Sequence, residues 1–359
     1  MMVRSMRWSR ASAGGVLLAT FTAMCLAAPE LPRAMFHKNK YAMGTEFEIV
    51  VYDESAAHAE QAMEEALEEI VRLDGVMSDY KTDSELSRLN RKAHFHAQIV
   101  SADLYCVIEE SLQYSKISGG KFDVTVGPLA HRWKAVLNGA PAPTVEEEEK
   151  LRACVGYEKV VMTPPNRIEF HSPCLEIDLG AIGKGYAVDR AVEILRTRGI
   201  KSGLIDAGGS TFYGMGAPPE KAGWLVHLRD PSGKLDPEVL LRDNSASTSE
   251  QTPKSLLGNA SAGHIINPEN GMPLRTRYSL SVIAKTGTAS DGLSTTLLLL
   301  GPEKGRELVE GVSDAAAIWV SSDGQMEIAT SGPRILLGGE SRNDTPVKDS
   351  EQKTRTAER

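Results

Sequence analysis

Apolar residues recur along this chain with two periods, and the switches between them predict most of its elements. From Tyr41 to Tyr52, Phe47, Ile49 and Val51 alternate with polar residues, which predicts a half-buried strand. Between Ser55 and Val76 the period becomes that of a helix. Met63, Ala66, Leu67, Ile70 and Leu73 form one stripe with glutamates opposite, and Ser55 stands at the N-cap. A loop through Met77-Ser78-Asp79-Tyr80 leads to a short helix over residues 83–90. Ser101 to Ser118 predicts another helix, stopped by Gly119-Gly120. After a linker from Asn138 to Pro143, Thr144 to Cys154 predicts a short helix with Thr144 and Glu147 in capping-box positions. Val160 to Phe170 reads as a hairpin around Pro164-Pro165-Asn166.

The middle of the chain is the most distinctive part. A short apolar strand, Leu175 to Leu179, carries a lone acid, Asp178. Gly180, Gly183 and Gly185 follow with Lys184 among them. Val188, Ala191, Val192 and Leu195 then recur at helix spacing up to a stop at Gly199. Gly203 to Gly216 is strand-like but crowded with glycine. Trp224 to Arg229 and Glu238 to Leu241 predict short strands, and Ser245 to Ser261 reads as polar and irregular. Gly263 to Pro268 predicts a short strand entering a turn at Glu269-Asn270-Gly271, and Ser279 to Lys285 a strand. Thr286 to Ser290 reads as a loop of small residues, Asp291 to Leu300 as a helix ended by Gly301-Pro302, and Ala315 to Val320 as a core strand. Strands and helices mixed in this way predict an α+β fold.

The ends differ from the rest. Residues 1–27 place Arg4, Arg7 and Arg10 before a short run of small and apolar residues that closes on Cys25-Leu26-Ala27, the pattern of a secretory signal peptide. No twin-Arg pair is present, and Cys25 offers a lipid-anchored alternative. Residues 340–359 hold no aromatic and few apolar residues, the composition of a disordered polar tail. The formal charge of the 359-residue chain is −8, and removing residues 1–27 takes away three arginines and no acid, leaving −11. That balance argues against nucleic acid or anionic lipid as partner. Cys106, Cys154 and Cys174 remain, without metal spacing, so one disulfide and three buried thiols are both compatible with the sequence.

Strand, glycine-rich turn and helix is a way to present bare backbone N–H groups to phosphate, and Lys184 adds a mobile cation. The spacing matches neither Gly-x-Gly-x-x-Gly nor Gly-x-x-x-x-Gly-Lys-Ser/Thr, so an unliganded turn stays open. Asp291 and Thr295 lie four apart and so share a helix face; a carboxylate and a hydroxyl suit Mg²⁺, and suit helix capping equally. His264, between Gly263 and Ile265-Ile266, fits a general base, a phosphate ligand or a structural imidazole. Asp123 suits a polar ligand edge or a turn, and Tyr80 a stacked ring or ordinary packing. No Ser-His-Asp or Cys-His arrangement is readable.

Taken in order, the motifs Met43-Gly44-Thr45, Ser78-Asp79-Tyr80 with Ser84-Glu85 and Asn90, Gly119-Gly120-Lys121-Phe122-Asp123, Asp178 to Tyr186, Gly208-Gly209, His264 to Pro268 and Asp291 to Thr295 resemble the ApbE family of FAD:protein FMN transferases. The resemblance spans roughly residues 37–340. It implies mixed sheets with flanking helices in a domain over 28–339, two intertwined lobes, and a flavin cleft between them. It also implies Mg²⁺-dependent transfer of FMN from FAD to a Thr or Ser hydroxyl, releasing AMP, with Mn²⁺ as a substitute metal. Met43, Tyr80, Lys121, Phe122, Asp123, Asp178, Lys184, His264 and Ile265 would line the FAD site. The Ala181 carbonyl, Asp291 and Thr295 would hold the metal, with His264 or a nearby acid as base. The expected partner is an exported or membrane-associated redox subunit bearing an Asp-x-x-Ser/Thr-Gly-Ala-Thr/Ser-like acceptor, which places the chain in the periplasm, free or anchored. A Mg²⁺-dependent FAD pyrophosphatase and a non-catalytic FAD-binding protein are the alternatives. Two positions depart from the family: Asn267 where Asp is frequent, and Ser247-Thr248-Ser249-Glu250 where Ser-Gly-x-Tyr is frequent.

Overall fold

The computed structural model describes residues 33–251 and 263–331; the expected leader over 1–27 and tail over 340–359 lie outside the described residues. The chain opens with a long hairpin, β1 (Ala34–Ala42) and β2 (Thr45–Asp53). Ala42 pairs with Thr45, so Met43-Gly44 is a two-residue turn, and both residues have positive φ (50° and 77°). The single strand expected from Tyr41 is therefore two strands. Met is an unusual first residue for a turn that needs φ > 0 at both positions, and this hid the turn in the sequence.

Helix α1 (Ala56–Met77) follows with Ser55 as its N-cap, and the whole stripe from Met63 to Leu73 is buried. Then come α2 (Glu85–Lys92), β3 (Gln98–Ile99), α3 (Ala102–Ile117), α4 (Gly127–Leu137) and α5 (Val145–Arg152). Thr144 caps α5 by accepting from the Glu147 N–H. The expected proline hairpin is β4 (Val160–Thr163) with β5 (Arg167–Phe170), and β3 joins it as a third strand.

The segment Leu175 to Leu179 buries Leu175, Ile177 and Leu179 as its alternation predicts. It is not a strand of any sheet. It makes an isolated parallel bridge, Val126 to Glu176, and the Asp178 N–H donates to the Val124 carbonyl. The regular partner that a strand needs is absent because residues 124–127 turn at once into α4. Gly183, Lys184 and Gly185, expected in the turn, form the start of α6 (Gly183–Thr197).

The second half builds a sheet: β6 (Gly203–Ala207), β7 (Thr211–Met215), the separate pair β8 (Trp224–His227) and β9 (Glu238–Leu241), then β10 (Asn244–Glu250), β11 (Tyr278–Ala284), α7 (Gly287–Glu310), β12 (Ala316–Ser321) and β13 (Met326–Thr330). Eight strands pair antiparallel in the order β1-β2-β6-β7-β10-β11-β12-β13. Helices α1, α6 and α7 pack on one face, and the β8–β9 pair covers part of the other. Covering both faces explains why β12 reads as a continuous apolar run. Residues of the small sheet (Val160, Ile168, Phe170) and of the large one (Leu280, Val282) belong to one apolar cluster, so the two sheets share a core.

Three further segments differ from expectation. Residues 245–250 form a central strand, β10. Its buried face is polar, and the hydroxyls satisfy one another: Ser245 with Ser290 (2.8 Å), Ser247 with Thr211 (2.6 Å) and Ser249 with Ser294 (2.8 Å). A strand whose inner face is serine carries no apolar alternation, so the pattern missed it. The loop expected over 286–290 is the first turn of α7, with Thr286 as its N-cap; Gly301, with φ 79°, breaks that helix where Gly301-Pro302 predicted. Residues 263–268, expected as a strand, make only the bridge from Ile266 to Pro273.

Cys154 and Cys174 are joined by a disulfide and Cys106 is free. The bridge spans 20 residues and ties the end of α5 to the segment that leads to Asp178. Closing a loop of that length stabilises by about 3 kcal/mol. Urea unfolding of the Cys154→Ser/Cys174→Ser double variant should show about that loss, and reductant should destabilise the native chain but not the variant.

Candidate functional site

Helix α7 meets the start of α6 at the closest backbone approach of the site. A Cβ on Gly185 would lie 2.1 Å from the Gly287 carbonyl oxygen and 2.7 Å from Asp291 Cβ, so only glycine fits there. The contact is reciprocated by hydrogen bonds. The Gly185 N–H donates to Asp291 Oδ2 (2.9 Å). From α6, Asp189 accepts from the N–H groups of Gly287 (2.6 Å) and Thr288 (2.8 Å), capping α7 from outside. One turn further along α7, Thr295 Oγ1 lies 2.9 Å from Ser249 Oγ on β10, which also meets Ser294 Oγ. Asp291, Thr295 and Leu299, at successive i,i+4 positions, face a single cleft.

That cleft has a volume of about 480 Å³. Gly180, Ala181 and Lys184 border it from the turn and the start of α6. Thr248, Ser249 and Glu250 border it from β10, His264 to Ile266 from the loop before β11, and Ala130, Lys134 and Leu137 from one face of α4. Asp79, Tyr80, Phe122, Asp123, Asp178 and Arg229 also line it. Of the residues singled out from the sequence, Tyr80, Phe122, Asp123, Asp178, Ala181, Lys184, His264, Ile265, Asp291 and Thr295 thus share one cavity. Met43 and Lys121 do not border it. Met43 packs beneath the turn, its Cε 3.4 Å from where a Cβ on Gly183 would stand, and Lys121 forms an ion pair with Glu269.

The acids and bases of the cleft are set apart by their surroundings. Burial, then the neighbouring Asp79 charge, pushes the Asp178 carboxyl above the ordinary carboxylate range, against one hydrogen bond from the Gly180 N–H (2.7 Å). His264 moves the other way. Crowding by protein around its ring, then the charges of Lys184 and Arg229, hold the imidazole below its ordinary value although the side chain stays open to solvent. Burial also raises Asp123, but both its oxygens are engaged: Oδ1 accepts from the Thr125 N–H (2.8 Å) and hydroxyl (2.7 Å), and Oδ2 from the Tyr157 N–H (2.9 Å). Asp123 therefore shapes the loop into α4.

Sequence reasoning missed α4, and with it His131 and Lys134. The Lys134 ammonium lies 3.1 Å from the centre of the Tyr80 ring, whose hydroxyl burial pushes up to about 12. His131 bridges Asp79 (Nε2, 2.8 Å) and Glu176 (Nδ1, 2.9 Å) and meets the Tyr80 ring edge-on. The helical spacing of Ala130, Lys134 and Leu137 was the available signal. Arg229, Ser249 and Asp189 carried none, because their roles come from long-range contacts.

The donor set fits a hard divalent cation. One carboxylate, one hydroxyl and one backbone carbonyl, from Asp291, Thr295 and Ala181, border the same cleft beside a helix start and a lysine, an all-oxygen arrangement suited to Mg²⁺ with room for phosphate and water.

Known proteins resemble this chain in sequence and in fold. The family model described as "ApbE family" matches residues 43–319. The FAD:protein FMN transferase of Vibrio cholerae is 28% identical over 330 residues, covering 89% of this chain and 98% of the relative. That of Haemophilus influenzae is 28% identical over 321 residues, covering 86% and 92%. Among solved structures, the flavin transferase ApbE from Vibrio cholerae superposes with a TM-score of 0.76 at 27% identity, over 84% of this chain and 98% of that one. The apo form of the Pseudomonas stutzeri flavinyl transferase ApbE gives 0.74 at 25% identity, over 85% and 97%.

The His131 bridge makes a pH-dependent prediction. Asp79, then Glu176, raises the imidazole to about 10 from its ordinary 6.5. The folded value lies above the unfolded one, so the contribution to stability is complete below pH 6.5 and is lost as pH rises through about 10. Urea unfolding of the native chain and of His131→Gln should therefore differ most near neutrality and below, and the difference should shrink towards pH 10. A constant gap across that range would contradict the bridge.

Proposed function

The chain belongs to the ApbE family, and we propose that it transfers FMN from FAD to a Thr or Ser hydroxyl of a target protein, releasing AMP. The observation that carries this reading is the meeting, in one cleft, of the Asp291–Thr295–Ala181 oxygen set, the Lys184 turn and a histidine held neutral. The names of the relatives and structural neighbours support the same activity.

Tyr80 and Phe122 border the cleft where a flavin ring system would lie, and Asp178, whose carboxyl burial raises above its ordinary value, offers it a polar contact. Lys184 and the start of α6 receive the pyrophosphate. Mg²⁺, held by Asp291, Thr295 and the Ala181 carbonyl, supplies positive charge that offsets the phosphates and the leaving AMP. His264, unprotonated at neutral pH, takes the proton of the target hydroxyl at a ring nitrogen as that oxygen attacks the FMN phosphorus. The bond from this phosphorus to the bridging oxygen breaks, and AMP departs with that oxygen.

The Cys154–Cys174 disulfide suits an oxidising compartment, and the basic and apolar residues 1–27 suit export to the periplasm, where the target would be an exported or membrane-associated redox subunit. Mass analysis of the mature protein should find an N-terminus near Ala28; a lipid-modified Cys25 would replace the soluble form with an anchored one.

Residues 28–359, incubated with FAD, Mg²⁺ and an acceptor protein bearing the Thr motif, should add the mass of FMN to the acceptor. Free FMN and AMP without an adduct would make the protein a pyrophosphatase, and intact bound FAD a carrier. Asp291→Ala should lower transfer more than about 100-fold while the fold is kept, and His264→Ala by about 100-fold or more. In the native enzyme kcat should rise with pH through the depressed His264 value, below 6.5, and level off near neutrality; His264→Ala should lack that inflection.

A further inference from the structure

Two of the segments that border the cleft belong to no sheet. Residues 175–179 carry Asp178, and residues 264–266 carry His264. Ile177 meets a carboxamide side chain where a neighbouring strand would stand, and Ile265 meets one in addition to the Leu274 N–H, which also donates to the Ile265 carbonyl (2.8 Å). Asn90, on α2, donates from Nδ2 to the Ile177 carbonyl (2.9 Å) and accepts at Oδ1 from the Ile177 N–H (2.9 Å). Gln251, just after β10, accepts at Oε1 from the Ile265 N–H (2.7 Å). Its Nε2 donates to the carbonyls of Ile265 (2.9 Å) and Leu274 (2.8 Å). Gln251 is fully buried, and its two amide hydrogens and its oxygen are all engaged.

A carboxamide holds an N–H donor and a C=O acceptor side by side, the same pair that a residue of an adjoining strand presents. An ionised carboxylate lacks the donor, and an apolar side chain lacks both. Gly263 closes over the Gln251 amide so tightly that a Cβ there would lie 2.5 Å from Gln251 Cδ. We infer that Asn90 and Gln251 are positioning residues, each acting as a one-residue strand partner that fixes Asp178 or His264 in the cleft. The kinetic part of this inference rests on the transferase reading; the structural part does not.

Hydrogen exchange tests the structural part directly. In folded Gln251→Met, the Ile265 amide should exchange at least about 10-fold faster, while amides of α1 keep their protection. Gly263→Ala, which keeps the amide but displaces the segment, should do the same and serves if Gln251→Met does not fold. The kinetic part is a double-mutant cycle with His264→Ala at saturating FAD. Gln251→Met should lower kcat at least about 10-fold with the KM for FAD changed less than about 3-fold, yet cost less than about 2-fold in the His264→Ala background. Asn90→Leu should instead weaken FAD binding in the native chain and have little further effect after Asp178→Asn. An Ile265 amide that stays protected, or equal fold-losses in both backgrounds, overturns the inference. A native chain that forms no FMN adduct removes the transferase reading and leaves the exchange result to decide the clamp.

Discussion

The site depends on one backbone contact, the approach of the α6 start to the α7 start at Gly185 and Gly287. Cβ atoms built on these two glycines would lie 2.1 and 2.5 Å from the opposite carbonyl oxygens, so neither position admits a side chain without moving a helix. The approach brings the glycine-rich turn and the Asp291–Thr295 face together. Hydrogen bonds cross it in both directions, from the Gly185 N–H to Asp291 and from the Gly287 and Thr288 N–H groups to Asp189. The glycines of the turn thus have two distinct uses. Gly180 borders the cleft where backbone can approach phosphate, whereas Gly185 serves helix packing.

A sheet behind such a site would ordinarily be apolar. Here β10 turns serines towards α7, and α7 answers with Ser290, Ser294 and Thr295. Each buried hydroxyl has a partner, so the desolvation cost of about 1–3 kcal/mol for an unpaired group is avoided. The arrangement also fixes the Thr295 hydroxyl, because Ser249 holds it from the sheet side. Packing and site chemistry are the same contacts in this layer.

Much of this was legible in the sequence, and the failures have physical causes. The α1 stripe, the Thr144 cap and the proline hairpin follow from local periodicity and capping alone. The candidate residues from Tyr80 to Thr295 converge because their motifs are short stretches that the fold brings to one cleft. What escaped were features set by tertiary partners. Strand β10 hides its pattern because its buried face is hydroxyl. Segments 175–179 and 263–268 look like strands because they alternate or carry apolar pairs, but side-chain amides supply much of their pairing. Met43 and Lys121 sit outside the cleft because one packs under the turn and the other pairs with Glu269. The disulfide was one of two open outcomes, decided only by the packing of α5 beside residue 174.

The most direct test of this assembly is anomalous diffraction from crystals grown with Mn²⁺ and FAD. The account predicts one strong peak in the cleft, about 2 Å from an Asp291 carboxylate oxygen, the Thr295 hydroxyl and the Ala181 carbonyl, with pyrophosphate oxygens completing the shell. A peak held by other residues, or FAD bound in this cleft with no metal at these three oxygens, would contradict it.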